Sequence, residues 1–166
     1  PLLVPYMSCK GYLSASEAWR AGRRAREQHQ QGKNVTIIHL GDHDPSGLDM
    51  TRDNDDRLKL YSETYGVEVN RIALNMDQIE EYAPPPNPTK MSDSRSKEYI
   101  PHYGHESWEL DALEPRVLID LITDTINPMI DWDIWNETLE QEEETSERLR
   151  KIGDNWDDVS EFLDNL

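Results

Sequence analysis

A six-residue apolar run, Val35–Leu40, ends in Gly41-Asp42-His43-Asp44-Pro45-Ser46-Gly47, and that junction constrains the fold more than any other stretch. Val35, Ile37, Ile38 and Leu40 make the short, β-branched-rich pattern of a strand buried in a parallel sheet. Pro45 suits a first helical position, where its missing N–H costs nothing, and Asp44 suits the N-cap before it. A buried strand leading straight into a capped helix is the start of a β-α-β unit. Asp42 and Asp44 then lie just past the carboxyl end of the strand, the sheet edge where α/β folds bind ligands.

Two hard oxygen donors one residue apart suit Mg²⁺, with Mn²⁺ as the substitute ion. Such a site keeps several waters and takes one or two protein carboxylates together with substrate phosphates. Asp42 and Asp44 are therefore the candidate metal ligands, and Gly47 is expected to let the backbone approach closely in the turn. A turn that only caps a helix uses the same residue types. Asp42, Asp44, Ser46, Gly47 and Asp53 also fall at the first, third, fifth, sixth and twelfth places of an EF-hand loop. Context argues against that loop: a strand-like run precedes it, Pro45 stiffens it, and its last position is Asp instead of Glu. His39, His43, His102 and His105 show no metal-ligand spacing.

The chain has 166 residues, about one domain and enough for a real core. Its 17 basic and 34 acidic side chains give a formal charge of −17, so any nucleic-acid contact must come from a local basic patch. Residues 1–33 hold six basic and two acidic side chains, and residues 131–166 hold three and thirteen. The basic excess is expected beside the candidate metal site. A single cysteine, Cys9, fits a reducing, cytoplasmic setting, and without a signal peptide or a spanning apolar run no membrane partner is expected. The abrupt start at Pro1 suggests a piece of a longer parent.

Leu2, Leu3, Val4 and Tyr6 predict a first strand. Ser14 and Glu17 form a capping-box pair that predicts a helix to about Gln31, stopped by Gly32. Ala18, Gly22 and Ala25 would give it a small-residue face against the sheet, leaving Arg20, Arg23, Arg24 and Arg26 outside. After Val35–Leu40 a helix is expected from Pro45 to Tyr65, ended by Gly66, and Val67, Val69, Ile72 and Leu74 predict a third strand. The β-α-β-α-β order implies a parallel sheet with right-handed crossovers. Met76–Tyr82 reads as a short helix, 83–88 as a proline-rich extended segment, and 89–107 as polar and mixed. A helix with core positions Leu113, Val117, Leu121 and Ile122 is expected from Leu110 to Asn127. Two acidic helices follow, with Leu149, Ile152, Trp156, Val159, Leu163 and Leu166 on a heptad-like stripe expected to cover the main domain or a partner.

Lys10, Gly11 and Tyr12 after one strand, a helix, and then a strand ending in Asp42-x-Asp44-Pro45-x-Gly47 resemble the Toprim domain. The form is that of the A subunit of type IIB DNA topoisomerases (topoisomerase VI type) and their meiotic double-strand-break relatives. Uncharacterised Toprim proteins of bacteria and their phages are similar too. The segment from Ile72 to Tyr82 and Glu109-Leu110-Asp111-Ala112-Leu113 extend the likeness over about residues 2–126. It implies an α/β, Rossmann-like parallel sheet flanked by helices over 1–130, with the acidic helical extension at 131–166. It further implies Mg²⁺ on Asp42 and Asp44, a turn shaped by Gly47, and Lys10 at the same edge, as a phosphate contact or an ordinary turn lysine. Glu109 and Asp111 would approach the metal edge, or Asp111 would cap the next helix. Arg20, Arg23, Arg24 and Arg26 would contact phosphate or form a solvated face.

The sequence also departs from the family. Toprim chemistry uses a glutamate on a strand before the Lys-Gly-Tyr strand, and no Glu precedes Glu17 here. No winged-helix domain with a nucleophilic tyrosine is recognisable, and Tyr6 and Tyr12 read as packing residues. The expectation is the Mg²⁺-binding part of a DNA-processing protein of topoisomerase or nuclease type, inactive as this chain alone and meeting DNA through its parent. The alternative is a degenerate, non-enzymatic scaffold that binds a protein partner through Trp132, Trp135 and Trp156 in its acidic helices. Neither reading fixes the oligomeric state.

Overall fold

The computed structural model describes residues 4–7 and 11–165. The chain is a mixed α/β protein that divides into two compact units, one ending at Thr123 and the other spanning Asp124–Leu166.

In the first unit, helix α1 (Ala15–Gln30) begins where Ser14 Oγ accepts the Glu17 N–H at 3.2 Å. The Glu17 carboxylate turns to Arg20, 2.7 Å away, instead of back to the cap. Ala18, Ala21, Gly22 and Ala25 are buried, yet this face rests chiefly on a second helix, α2 (Pro45–Ser62), and not on the sheet as expected. A Cβ at Gly22 would lie 2.6 Å from Tyr61 Cβ and 2.8 Å from the Tyr61 carbonyl carbon. Small side chains here let two helix backbones approach, and only Ala21 and Ala25 reach the sheet, through a cluster with Leu58 and Val67. Glycine to alanine in a helix interior ordinarily gains about 1 kcal/mol. At Gly22 the sign should reverse: Gly22→Ala is expected to lose about 1–3 kcal/mol through overpacking. A lower urea midpoint at unchanged m would register it.

Strand β1 (Val35–Leu40) has the predicted bounds and pairs in parallel with β2 (Val67–Ala73). The register runs from Val35 opposite Val67 to His39 opposite Arg71, then slips so that Leu40 faces Ala73. Among the described residues this parallel sheet has two strands, not three. Of the strand expected at 2–6, Leu2 and Leu3 lie outside the described residues, and 4–7 form no strand, although Met7 packs on the β1 and β2 cluster. Tyr6 is 94 % exposed and is not the packing residue expected. Helix α2 stops at Ser62, before Gly66, because Glu63 adopts the left-handed conformation (φ 53°) and its N–H bonds the Lys59 carbonyl. Gly66 instead makes room for His29, whose Nδ1 a Cβ would meet at 2.2 Å.

Helix α3 (Met76–Tyr82) is tied to β2 by Gln78, which accepts the Asn75 N–H at 3.0 Å and donates to the Ile72 carbonyl at 2.7 Å. The mixed segment 89–107 holds an unexpected helix, α4 (Ser96–Tyr103). It sits between β3 (Asn87–Pro88) and β4 (Glu106–Ser107), which pair antiparallel. The helix expected from Leu110 starts later, as α5 (Pro115–Ile126), after a 3-10 turn at Leu110–Ala112. Proline disfavours the helical conformation in the residue before it, so Pro115 sets the start. Leu74, Ile79, Trp108 and Leu113 form the second apolar cluster, with Val117 and Leu118 against it.

The second unit holds α6 (Trp132–Asp154), capped by Asp131, and α7 (Trp156–Asp164). Neither helix buries a residue. Along the apolar stripe, these two helices leave Leu149, Ile152, Trp156 and Leu163 exposed and Val159 half-buried, and Leu166 lies outside the described residues. Among the described residues no helix is long and apolar enough to cross a membrane.

Candidate metal site

The loop after β1 is held from both sides. Toward β2, Gly41 N–H bonds the Ala73 carbonyl at 2.9 Å and Leu74 N–H bonds the Gly41 carbonyl at 2.8 Å. On the other side His43 and Trp108 exchange both backbone hydrogen bonds, at 2.8 and 3.0 Å. The next residues of that second segment reach Asp42 directly: Leu110 N–H donates to Asp42 Oδ1 at 2.8 Å. Asp44 is the N-cap of α2, its Oδ1 accepting the Gly47 N–H at 2.6 Å and the Ser46 hydroxyl at 3.0 Å. Gly47 is required by space, because a Cβ there would lie 2.1 Å from the Asp42 carbonyl oxygen.

His43, between the two aspartates, points inward and is 2 % exposed. Its ring meets Tyr99, Tyr103 and Trp108 edge-on, with centroids 5.7, 4.7 and 5.9 Å away. Tyr99 Oη is 2.9 Å from His43 Nδ1 and 3.0 Å from the carbonyl oxygens of both His43 and Glu106. The single hydroxyl proton serves a carbonyl, so the Nδ1–H tautomer of His43 is the one that fits as donor to Oη. Burial, and then the Arg71 charge, holds His43 below its ordinary pKa against the opposing pull of its backbone hydrogen bond and Asp44. The imidazole is therefore neutral at pH 7. Burial likewise raises the pKa of Tyr99.

The positive charge behind the aspartates belongs to Arg71, on β2. Its Nη2 donates to the carbonyls of Asp42 (2.6 Å), Gly41 (2.8 Å) and Leu74 (3.2 Å). Its Nη1 donates to Thr51 Oγ1 (2.8 Å) and the Gly47 carbonyl (3.2 Å). Burial pulls the guanidinium below its ordinary pKa, and the charges of Asp42 and Asp44 oppose that. Arg71 thus holds the loop by its carbonyls and not by the carboxylates. Among the described residues neither Asp42 nor Asp44 pairs with a side-chain cation within 4.0 Å.

Two carboxylates with lone pairs to spare fit a hydrated divalent cation. The set goes no further: among the described residues no three of His, Cys, Asp and Glu lie close enough together to hold a metal ion. Comparisons with protein-family models, curated proteins and solved structures found no match. Glu109 and Asp111 are both exposed. Their segment reaches the Asp42 edge through the Leu110 backbone, and Asp111 sits inside the 3-10 turn instead of capping α5.

The arginines of α1 are elsewhere. Arg26 pairs with Glu63 at 2.8 Å, and Arg23 lines a surface hollow with Tyr61 and Glu63. Glu63 follows the C-terminal end of α2, about 27 Å along an 18-residue helix from its Asp44 cap. Among the described residues the basic excess therefore does not gather beside the aspartates. Arg20 pairs with Glu17, and Arg24 is exposed. Lys10 lies outside the described residues. Besides Arg71, the cations near the start of α2 among the described residues include Arg52 and Arg95, both tied to acids. Arg52 pairs with Asp49 and Asp56 at 2.7 Å, and Arg95 pairs with Asp93 at 2.8 Å and Asp49 at 3.3 Å. Tyr12 is not a packing residue: its hydroxyl bonds Asp49 and Arg95, and the Arg95 guanidinium lies 5.5 Å from its ring centre.

Proposed function

We propose that the chain is a Toprim-type, Mg²⁺-binding part of a DNA-processing protein, with the cation held by Asp42 and Asp44. The observation that supports this reading is that Asp42 and Asp44 both lie in the loop after the carboxyl end of β1, each carboxylate accepting a backbone N–H, with no side-chain cation paired to either among the described residues. The Toprim version of the α/β fold is supported by the order of Lys10-Gly11-Tyr12, helix, strand and Asp42-x-Asp44-Pro45-x-Gly47. A bound Mg²⁺ would supply Lewis-acid charge to a DNA phosphate oxygen. The chain's own residues do the positioning. Leu110 N–H sets the rotation of Asp42, the α2 cap sets Asp44, and Arg71 anchors the carbonyls between them. His43 is buried and engaged with Tyr99, so it serves the loop and not proton transfer. Phosphate binding and orientation are accordingly the role assigned to this chain, with cleavage and rejoining left to the longer parent.

With a net charge of −17, the chain should bind DNA only through the cation. The full chain is expected to bind a labelled duplex in Mg²⁺ and release it on chelation with EDTA. The double variant Asp42→Asn, Asp44→Asn should bind at least about tenfold more weakly, a loss of about 1.4 kcal/mol. Binding that ignores EDTA, or survives in the double variant, would refute the reading.

A further inference from the structure

We infer that α7 is a recognition helix that seats Trp156, Val159 and Leu163 in an apolar groove rimmed by Lys and Arg on a protein partner. The three side chains stand at i, i+3 and i+7, the spacing with which an amphipathic helix enters a groove. Phe162 widens the same stripe. Trp156 is 58 % exposed, Phe162 65 % and Leu163 55 %, so α6 and α7 do not cover them. Nine residues are too few for a helix that is stable in water on its own, so packing of the apolar face has to supply most of its stability.

Charge selects the occupant. On α7, Asp157 and Asp164 flank one side of the stripe and Asp158 the other, Glu161 lies on the opposite face, and residues 152–166 contain no Lys or Arg. A second copy of the helix would bring these carboxylates against their own kind, and a nucleic acid or an anionic membrane would be repelled as well. A groove with a basic rim satisfies both features: apolar anchors at the centre give affinity, and the charged rim gives orientation and rate. Asp157 and Asp158 lie in the first helical turn, where negative charge favours the helix, so part of the ordering cost is met before binding. This surface is independent of the metal reading.

The test uses the full chain and a helical peptide with leucine on one face and lysine on the other, beside a control peptide with every leucine replaced by serine. Calorimetry should show binding of the leucine peptide and little of the serine peptide. Val159→Ser with Leu163→Ser should weaken binding at least about tenfold, and Asp157→Asn with Asp158→Asn should flatten its salt dependence. Leu163→Met should bind as the parent chain does, which separates a lost anchor from a lost fold. Equal binding of the two peptides, or unchanged binding by the serine variant, would overturn the inference. So would a dimer in sedimentation that Leu163→Ser abolishes, or a Trp156 already shielded from acrylamide in the free chain, since either gives the stripe another occupant.

Discussion

Replacing Gly47 by alanine is expected to unfold the 41–47 loop and to abolish metal binding with it. A Cβ at this position would lie 2.1 Å from the Asp42 carbonyl oxygen, 3.0 Å from the carbonyl carbon and 3.2 Å from Asp44 Oδ1. The two closest of these atoms are backbone, and the third is the Asp44 oxygen that accepts the cap bond from Gly47 N–H. The Asp42 carbonyl is itself pinned by Arg71 Nη2 at 2.6 Å, and the Gly47 N–H makes the cap bond to Asp44. Relief must therefore shift either the carbonyl that Arg71 holds or the first turn of α2. Ordinary overpacking costs about 1–3 kcal/mol, and a clash with fixed backbone should exceed the upper end of that range. Urea unfolding of Gly47→Ala would measure the loss. A variant as stable as the parent chain would show that the tight turn is not as described.

Arg71 is the second position with a large expected effect. Replacing it by methionine removes the charged hydrogen bonds to the carbonyls of Gly41, Asp42 and Gly47 and the positive charge behind two aspartates. Hydrogen bonds to a charged group contribute about 1.5–3 kcal/mol each, and their losses at one site do not add. A destabilisation of about 3–5 kcal/mol is expected, in the range for removing one member of a buried charged network. Lysine keeps the charge but not the planar fork, so Arg71→Lys should recover only a minor part of that loss. Full recovery by lysine would mean that charge alone holds the loop.

These two positions differ in how far the sequence revealed them. Gly47, Asp44 and Pro45 are local punctuation, and their roles follow from neighbours within five residues, as do the bounds of β1 and the Ser14 cap. Arg71 acts 24 to 30 residues away from the carbonyls of Gly41, Asp42 and Gly47, and nothing in the alternation of Val67, Val69 and Ile72 marks it. The same holds for Tyr99 and Trp108. They close on His43 from a segment without helical or strand periodicity, so α4 and its aromatic contacts were not legible. The small-residue face of α1 was legible as a close-packing surface, but whether a sheet or a helix would meet it depends on Tyr61, thirty-nine positions beyond Gly22. The arginines of α1 misled for a related reason: adjacency in sequence to the metal motif placed them near it, whereas the length of α2 carries Arg26 toward the opposite end.

Titration of the full chain with Mn²⁺, followed by the loss of the free-ion signal in electron paramagnetic resonance, puts the pair of aspartates to the most direct trial. One ion per chain should be taken up, Mg²⁺ should displace it, and Asp42→Asn together with Asp44→Asn should eliminate it, while Glu140→Gln in the acidic helix leaves it intact. No uptake by the parent chain, or uptake that survives the double substitution, would contradict the account.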